Sequence, residues 1–156
     1  MVSDALWLAP WILAALLGLV VGSFLNVVIH RLPLMLEQEW QAAHDATPEP
    51  RPPFNLAFPS SHCPHCAHPL RWFENIPVWS YLLLRGRCSH CQTAISWQYP
   101  AVELATAAIA VWSVSRYGLS ADALAWAGFA ATLLTLAVID ARTTLLPDAL
   151  TQPLAW

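Results

Sequence analysis

From Ala5 to Ile29 the chain runs 25 residues without a charge, and this run constrains the fold more than any other stretch. At 1.5 Å per residue it crosses a hydrocarbon core of about 30 Å with some tilt. Residues 5–30 are therefore expected to form a transmembrane helix. A signal peptide is the competing reading, but the run exceeds an h-region and no basic segment precedes it. Composition agrees with a membrane protein: 57% of residues are hydrophobic and 11% charged, against roughly 25% charged in soluble domains. Mean hydropathy is +0.48. Trp7 and Trp11 fit the aromatic belt at one interface, and His30 and Arg31 mark the other. Gly18, Gly22, Asn26 and His30 recur every four residues, so they share one helix face. The glycines suit close packing of a neighbouring helix, whereas Asn26 is costly in lipid and is expected to face protein or a polar cavity.

Two further apolar runs follow a long polar interval. Residues 100–117 are expected to form a second transmembrane helix, with Pro100 at its first position and Glu103 in the first turn, where the helix dipole favours a carboxylate. Residues 123–140 form a third, near the lower length limit for a span. Residues 141–156 hold a turn and the start of a fourth helix, which Asp148 is expected to cap. Five arginines lie between the first and second helices, Arg116 alone between the second and third, and Arg142 after the third. The positive-inside rule then puts the polar interval and the Asp140 end in the cytoplasm and the N-terminus outside.

The interval, residues 31–99, contains all four cysteines. They stand as Cys63-Pro64-His65-Cys66 and Cys88-Ser89-His90-Cys91. Each C-x-x-C knuckle is a tight turn that aims two sulfurs at one point, and two knuckles supply the tetrahedral shell of a closed, structural Zn²⁺. Two disulfides or free thiols are the alternatives. His62, His65, His68 and His90 crowd the knuckles and one could replace a sulfur, but four thiolates already complete the shell, so exposed turn residues are expected. Thiolate ligands need a reducing compartment, in agreement with a cytoplasmic loop. The prolines of residues 41–60 predict an extended linker into this site, and residues 70–83 short strands or a short helix upon it. There is no lysine and the net charge is -3, which argues against a nucleic-acid partner despite the knuckles. The predicted fold class is thus an all-α integral membrane protein: three transmembrane helices plus the start of a fourth, with a cytoplasmic zinc-binding loop domain between helices 1 and 2.

Asp140 closes the third apolar run. Low-dielectric surroundings and the negative end of the helix dipole would both oppose its ionisation there, which makes it a candidate acid or base. A catalytic role requires it to face a polar space between helices. The bland reading is a juxtamembrane carboxylate that marks the water interface.

Taken together, Gly22-Ser23-Phe24-Leu25-Asn26-Val27-Val28-Ile29-His30-Arg31-Leu32-Pro33, the two knuckles, Glu74-Asn75-Ile76-Pro77, Leu84-Arg85-Gly86-Arg87-Cys88, Tyr99-Pro100-Ala101-Val102-Glu103, Ile139-Asp140 and Leu146-Pro147-Asp148 resemble the N-terminal half of the bacterial type IV prepilin peptidases. The resemblance implies an aspartic endopeptidase of the inner membrane that cleaves the basic leader of prepilins and pseudopilins after a glycine. It also implies methylation of the new amino terminus with S-adenosylmethionine, although no glycine-rich nucleotide loop is present. Asp140 matches the first of the family's two catalytic aspartates, and Cys63, Cys66, Cys88 and Cys91 match its zinc set. Gln98 stands where a basic residue is expected, a small departure. A larger one is that the Gly-x-Gly-Asp motif bearing the second aspartate is absent. The expectation is a truncated chain, inactive alone; a non-catalytic membrane module that binds prepilin or assembly proteins through its zinc loop is the alternative.

Overall fold

The computed structural model describes residues 2–44 and 53–155, with side chains from Leu8 onward. Five α-helices carry it: α1 Val2–His44, α2 Trp79–Leu83, α3 Gln98–Tyr117, α4 Ala121–Thr143 and α5 Asp148–Ala155. Among the described residues there is no β-strand, only isolated bridges between His62 and Pro69 and between Arg87 and Ala94.

Helix α1 is longer than the apolar run within it. It continues through Pro33 to His44, so residues 31–44 are helix rather than loop. A proline inside a helix costs about 3 kcal/mol, yet Leu34-Met35-Leu36-Glu37-Gln38-Glu39 are strong helix formers and carry the helix on. Pro48, Pro50 and Pro52 of the expected linker, and the side chain of Trp7, lie outside the described residues; Trp11 is exposed.

Helices α1, α3 and α4 pack as a bundle, and the α1–α3 seam is the most extensive. Two glycines set its closeness. A Cβ on Gly18 would stand 2.6 Å from Ala107 Cα, and one on Gly22 would stand 2.7 Å from Glu103 Cα. Ile29, Val102 and Ile139, one from each helix, form the buried core. Asn26 is buried in the seam and its Nδ2 donates to the Tyr99 carbonyl at 3.0 Å.

Two helices, α1 from Leu8 and α4, are long and apolar enough to cross a membrane. Most of that apolar surface is not buried: Leu8, Ile12, Leu16, Leu17, Val20 and Phe24 are all exposed, unlike the core helix of a soluble protein. Helix α3 does not qualify, where three spans were expected, because Glu103, Thr106, Ser113, Ser115 and Arg116 dilute its hydropathy. Glu103, Thr106 and Ser113 are buried. Ser120 caps α4, its Oγ accepting from the Ala123 N–H at 3.2 Å, which sets the start two residues before the apolar run.

Candidate metal centre

Each cysteine knuckle is built by the same backbone pattern. In the first, Cys63 N–H donates to His68 O at 2.9 Å and Ala67 N–H to Cys63 O at 2.9 Å; in the second, Cys88 N–H donates to Thr93 O at 2.9 Å and Gln92 N–H to Cys88 O at 3.1 Å. Ala67 and Gln92, at equivalent places, both adopt positive φ, 55° and 57°. The turn closes through a left-handed residue, and its sulfurs then share one side.

The two turns bring Cys63, Cys66, Cys88 and Cys91 together, with all four Sγ atoms within 4.8 Å of one another. Cys63 Sγ and Cys91 Sγ are 3.7 Å apart. A tetrahedral zinc with bonds of about 2.3 Å sets its sulfurs about 3.8 Å apart, so the spacing fits a metal. The cysteines are free thiols, and the spacing is nearly twice the roughly 2.05 Å of a disulfide bond. Their proton affinities diverge. The His68 backbone N–H favours the Cys66 thiolate, but burial and the neighbouring sulfurs push that thiol up to about 12. The Thr93 hydroxyl, then its backbone N–H, bring Cys91 down to about 6. Four thiolates this close need a cation among them. Of the histidines, His62, His65 and His90 are exposed, and His68 stacks on His90 with ring centroids 5.1 Å apart. No histidine belongs to the cluster.

Three further residues position this loop, and no sequence pattern assigned them that task. Glu74 is buried in a 3-10 turn, Trp72–Asn75, where its Oε2 accepts from the Arg71 N–H at 2.8 Å. The Ser89 hydroxyl and that same N–H hold its carboxyl below the usual glutamate range. Ser89 belongs to the second knuckle, and its hydroxyl favours the ionised Glu74 carboxylate. Arg31, expected only to mark an interface, is buried; it donates to Asn55 O at 2.9 Å and to Pro59 O at 2.6 Å. Glu103 was expected to complement the helix dipole in the first turn of α3. That helix starts earlier, at Gln98, and Glu103 Oε2 instead accepts from the Val78 N–H at 2.7 Å. Val78 has φ 58°, unusual for a β-branched residue. The signal for all three was a charge at a position that turns out to be buried.

Asp140 lies in the last turn of α4 and is exposed. The low-dielectric surroundings expected for it are not those of this chain. A groove of about 560 Å³ between α1, α3 and α4 is lined by Leu13, Gly18, Val114, Leu124 and Ala131. A smaller cavity of about 260 Å³ is lined by Ser23, Phe24, Ser61 and Asn75. Asp140 lines neither. Asp148 is also exposed, and lies in the first turn of α5 rather than before it.

A bundle with two long, lipid-compatible helices and a loop between α1 and α3 that gathers four cysteines closely enough to bind a metal ion defines the class: a helical membrane-type protein with a candidate metal centre. Residues 16–117 match the model of the bacterial peptidase A24 N-terminal domain, and the chain belongs to that family. It is 50% identical over 153 residues to the prepilin leader peptidase/N-methyltransferase of Burkholderia pseudomallei strain 1026b, covering 92% of this chain and 48% of the relative. The proteins of that name from Aeromonas hydrophila and Pseudomonas aeruginosa PAO1 are each 49% identical, covering 94% and 90% of this chain and 54% and 50% of the relatives. The chain thus spans about half the length of the curated relatives it matches. No solved structure matches it.

Proposed function

We propose that these residues form the N-terminal half of a prepilin leader peptidase and N-methyltransferase of the bacterial inner membrane. The observation that carries the reading is identity of 49–50% with proteins of that name across at least nine-tenths of the chain. In this reading α1, α3 and α4 cross the bilayer, α5 begins a fourth pass, and the N-terminus is periplasmic. Helix α3 crosses despite its polar residues because Glu103, Thr106 and Ser113 are buried and Ser115 and Arg116 stand in its last turn. Cys63, Cys66, Cys88 and Cys91 hold one Zn²⁺ that stabilises the cytoplasmic loop. The substrate is a prepilin or pseudopilin, and S-adenosylmethionine supplies the methyl group to its new amino terminus.

Asp140 is the first of two acids. In an aspartic dyad one carboxylate takes a proton from the attacking water while the other gives one to the scissile carbonyl oxygen. The 156 residues contain no Gly-x-Gly-Asp, and Asp140 is exposed. The reading therefore requires that a further segment supply both the matching acid and the walls that enclose Asp140. The test is cleavage of a prepilin by membranes bearing the chain extended through a Gly-x-Gly-Asp segment. Asp140→Ala is expected to lower cleavage at least about 10⁴-fold, on the scale of losing one member of a coupled catalytic set. Undiminished cleavage by that variant removes Asp140 from the mechanism.

The exposure of Asp140 favours one second reading, a non-catalytic module that binds prepilin or assembly proteins through the zinc loop. Capture of a prepilin without cleavage, by the chain with and without the extension alike, supports that alternative. Cleavage by the extended chain excludes it.

A further inference from the structure

The loop between α1 and α3 leaves an apolar face without a protein partner. On α2, Trp79, Leu82 and Leu83 stand at i, i+3 and i+4 and so share a side of the helix; they are 58%, 64% and 63% exposed. Trp72, in the preceding 3-10 turn, is 80% exposed. No residue of α2 is fully buried, and only Ser80 and Tyr81, on its other side, are half-buried. A contiguous face of this kind marks a protein or membrane contact.

Where α2 is held decides between them. Val78 immediately precedes Trp79, and its N–H donates to Glu103 Oε2 at 2.7 Å. Glu103 is the sixth residue of α3, so α2 starts beside the second turn of that helix. At the same end of α3, Trp97 and Tyr99 present exposed rings. Tryptophan and tyrosine collect where hydrocarbon meets headgroups. Arg85 and Arg87 follow Leu83 within four residues and are exposed. Guanidinium groups on long stems reach outward from such a boundary to phosphate.

We propose that α2 and the 3-10 turn before it form an interfacial foot. Trp79, Leu82 and Leu83 enter the headgroup–acyl boundary of the same bilayer that α3 crosses, while Arg85 and Arg87 pair with anionic phospholipid headgroups. The foot holds the metal loop against the membrane surface by two fixed points, the Glu103–Val78 hydrogen bond and the buried apolar face. This inference rests on the reading of α3 as a span.

The experiment uses spin-labelled amino acids, encoded one at a time in place of Leu82, Leu83, Gln92 or Leu104, with the cysteines left for the metal. The protein is placed in nanodiscs of phosphatidylethanolamine and phosphatidylglycerol. Collision rates are measured with oxygen, which partitions into lipid, and with a water-soluble nickel chelate. The ratio of oxygen to nickel collisions at Leu82 and Leu83 is expected to approach that at Leu104, an exposed residue of α3, and to exceed several-fold that at Gln92, an exposed residue of the second knuckle. Replacing phosphatidylglycerol by phosphatidylcholine is expected to lower the Leu82 ratio severalfold, and an R85Q/R87Q variant is expected to respond much less. A water-like ratio at Leu82 and Leu83 with a lipid-like one at Leu104 overturns the foot alone. Shielding of Leu82 from both reagents also overturns it, because another protein surface then covers α2. A water-like ratio at Leu104 overturns the span reading, and the foot falls with it. An unchanged ratio in phosphatidylcholine overturns the pairing with anionic headgroups.

Discussion

At the scale of single residues, the candidate metal loop is marked by four sulfurs that form one cluster and by a buried carboxylate, Glu74, that accepts from the Arg71 N–H between the two knuckles. Elemental analysis of the purified protein is expected to give about one zinc per chain, and Cys88→Ser is expected to lose it, because three thiolates leave the tetrahedral shell open. Recovery of oxidised cysteine pairs in place of metal would overturn the assignment. Glu74 adds a pH dependence. Its folded pKa lies below the ordinary value of 4.5, so the folded state binds fewer protons. The stability it contributes is complete above the ordinary glutamate range and is lost as pH falls through the lower folded value. Glu74→Gln is therefore expected to lower the stability of the loop at neutral pH, with the gap to the unmodified protein closing below about pH 4. Loop opening followed by hydrogen exchange at several pH values checks this, and a gap that persists undiminished at low pH contradicts it.

At the scale of elements, the glycines of α1 and the arginine one turn beyond Val27 determine which surfaces meet. Gly22→Val places a branched side chain against α3 backbone, and the cost is expected to be about 3 kcal/mol, the upper end for overpacking. A Cβ on Gly128 of α4 would meet nothing within 4 Å, so Gly128→Ala is expected to be neutral or stabilising by up to about 1 kcal/mol. Unfolding in mixed micelles separates the two. Arg31→Ala removes three charge-assisted hydrogen bonds to the 55–59 segment and is expected to cost about 2–3 kcal/mol and to open that segment to proteolysis. Arg31→Lys does not restore the fork. The glycine seam was legible in the sequence because a four-residue spacing of small residues has one simple structural meaning. The far end of α1 was not, since Pro33 signals a stop while the residues after it favour helix and the buried Arg31 anchors the turn. The cysteine spacing foretold the cluster because the ligands come as two local turns. The partners of Glu103 and Glu74 stayed hidden because they depend on contacts that no local pattern encodes.

At the scale of the whole molecule, the arrangement of charge and the arrangement of helices make one joint claim. Five of the seven arginines precede α3, and Arg142 stands in the last turn of α4, whereas the α3–α4 junction is flanked by Arg116 in the last turn of α3 and Asp122 in the first turn of α4. If α1, α3 and α4 all cross, the metal loop and the Thr144 turn share a compartment, and Gly118–Ser120 faces the opposite one. The positive-inside bias assigns the first compartment to the cytoplasm. That is also where thiolates escape oxidation, so two independent arguments agree on the sign. Reporter fusions test it. Green fluorescent protein joined after Thr144 is expected to fluoresce, and alkaline phosphatase joined after Leu119 is expected to be active, while the exchanged pair is silent. Activity of the phosphatase after Thr144 but not after Leu119 would mean either an inverted topology, with the metal loop in an oxidising space, or a topology in which α1 and α4 cross and α3 does not; a phosphatase fusion after Gln92, active only if the topology is inverted, separates the two. Phosphatase inactive at both positions would mean that neither α3 nor α4 crosses, and the buried Glu103 and Thr106 would then belong to a helix lying within the cytoplasmic part of the protein.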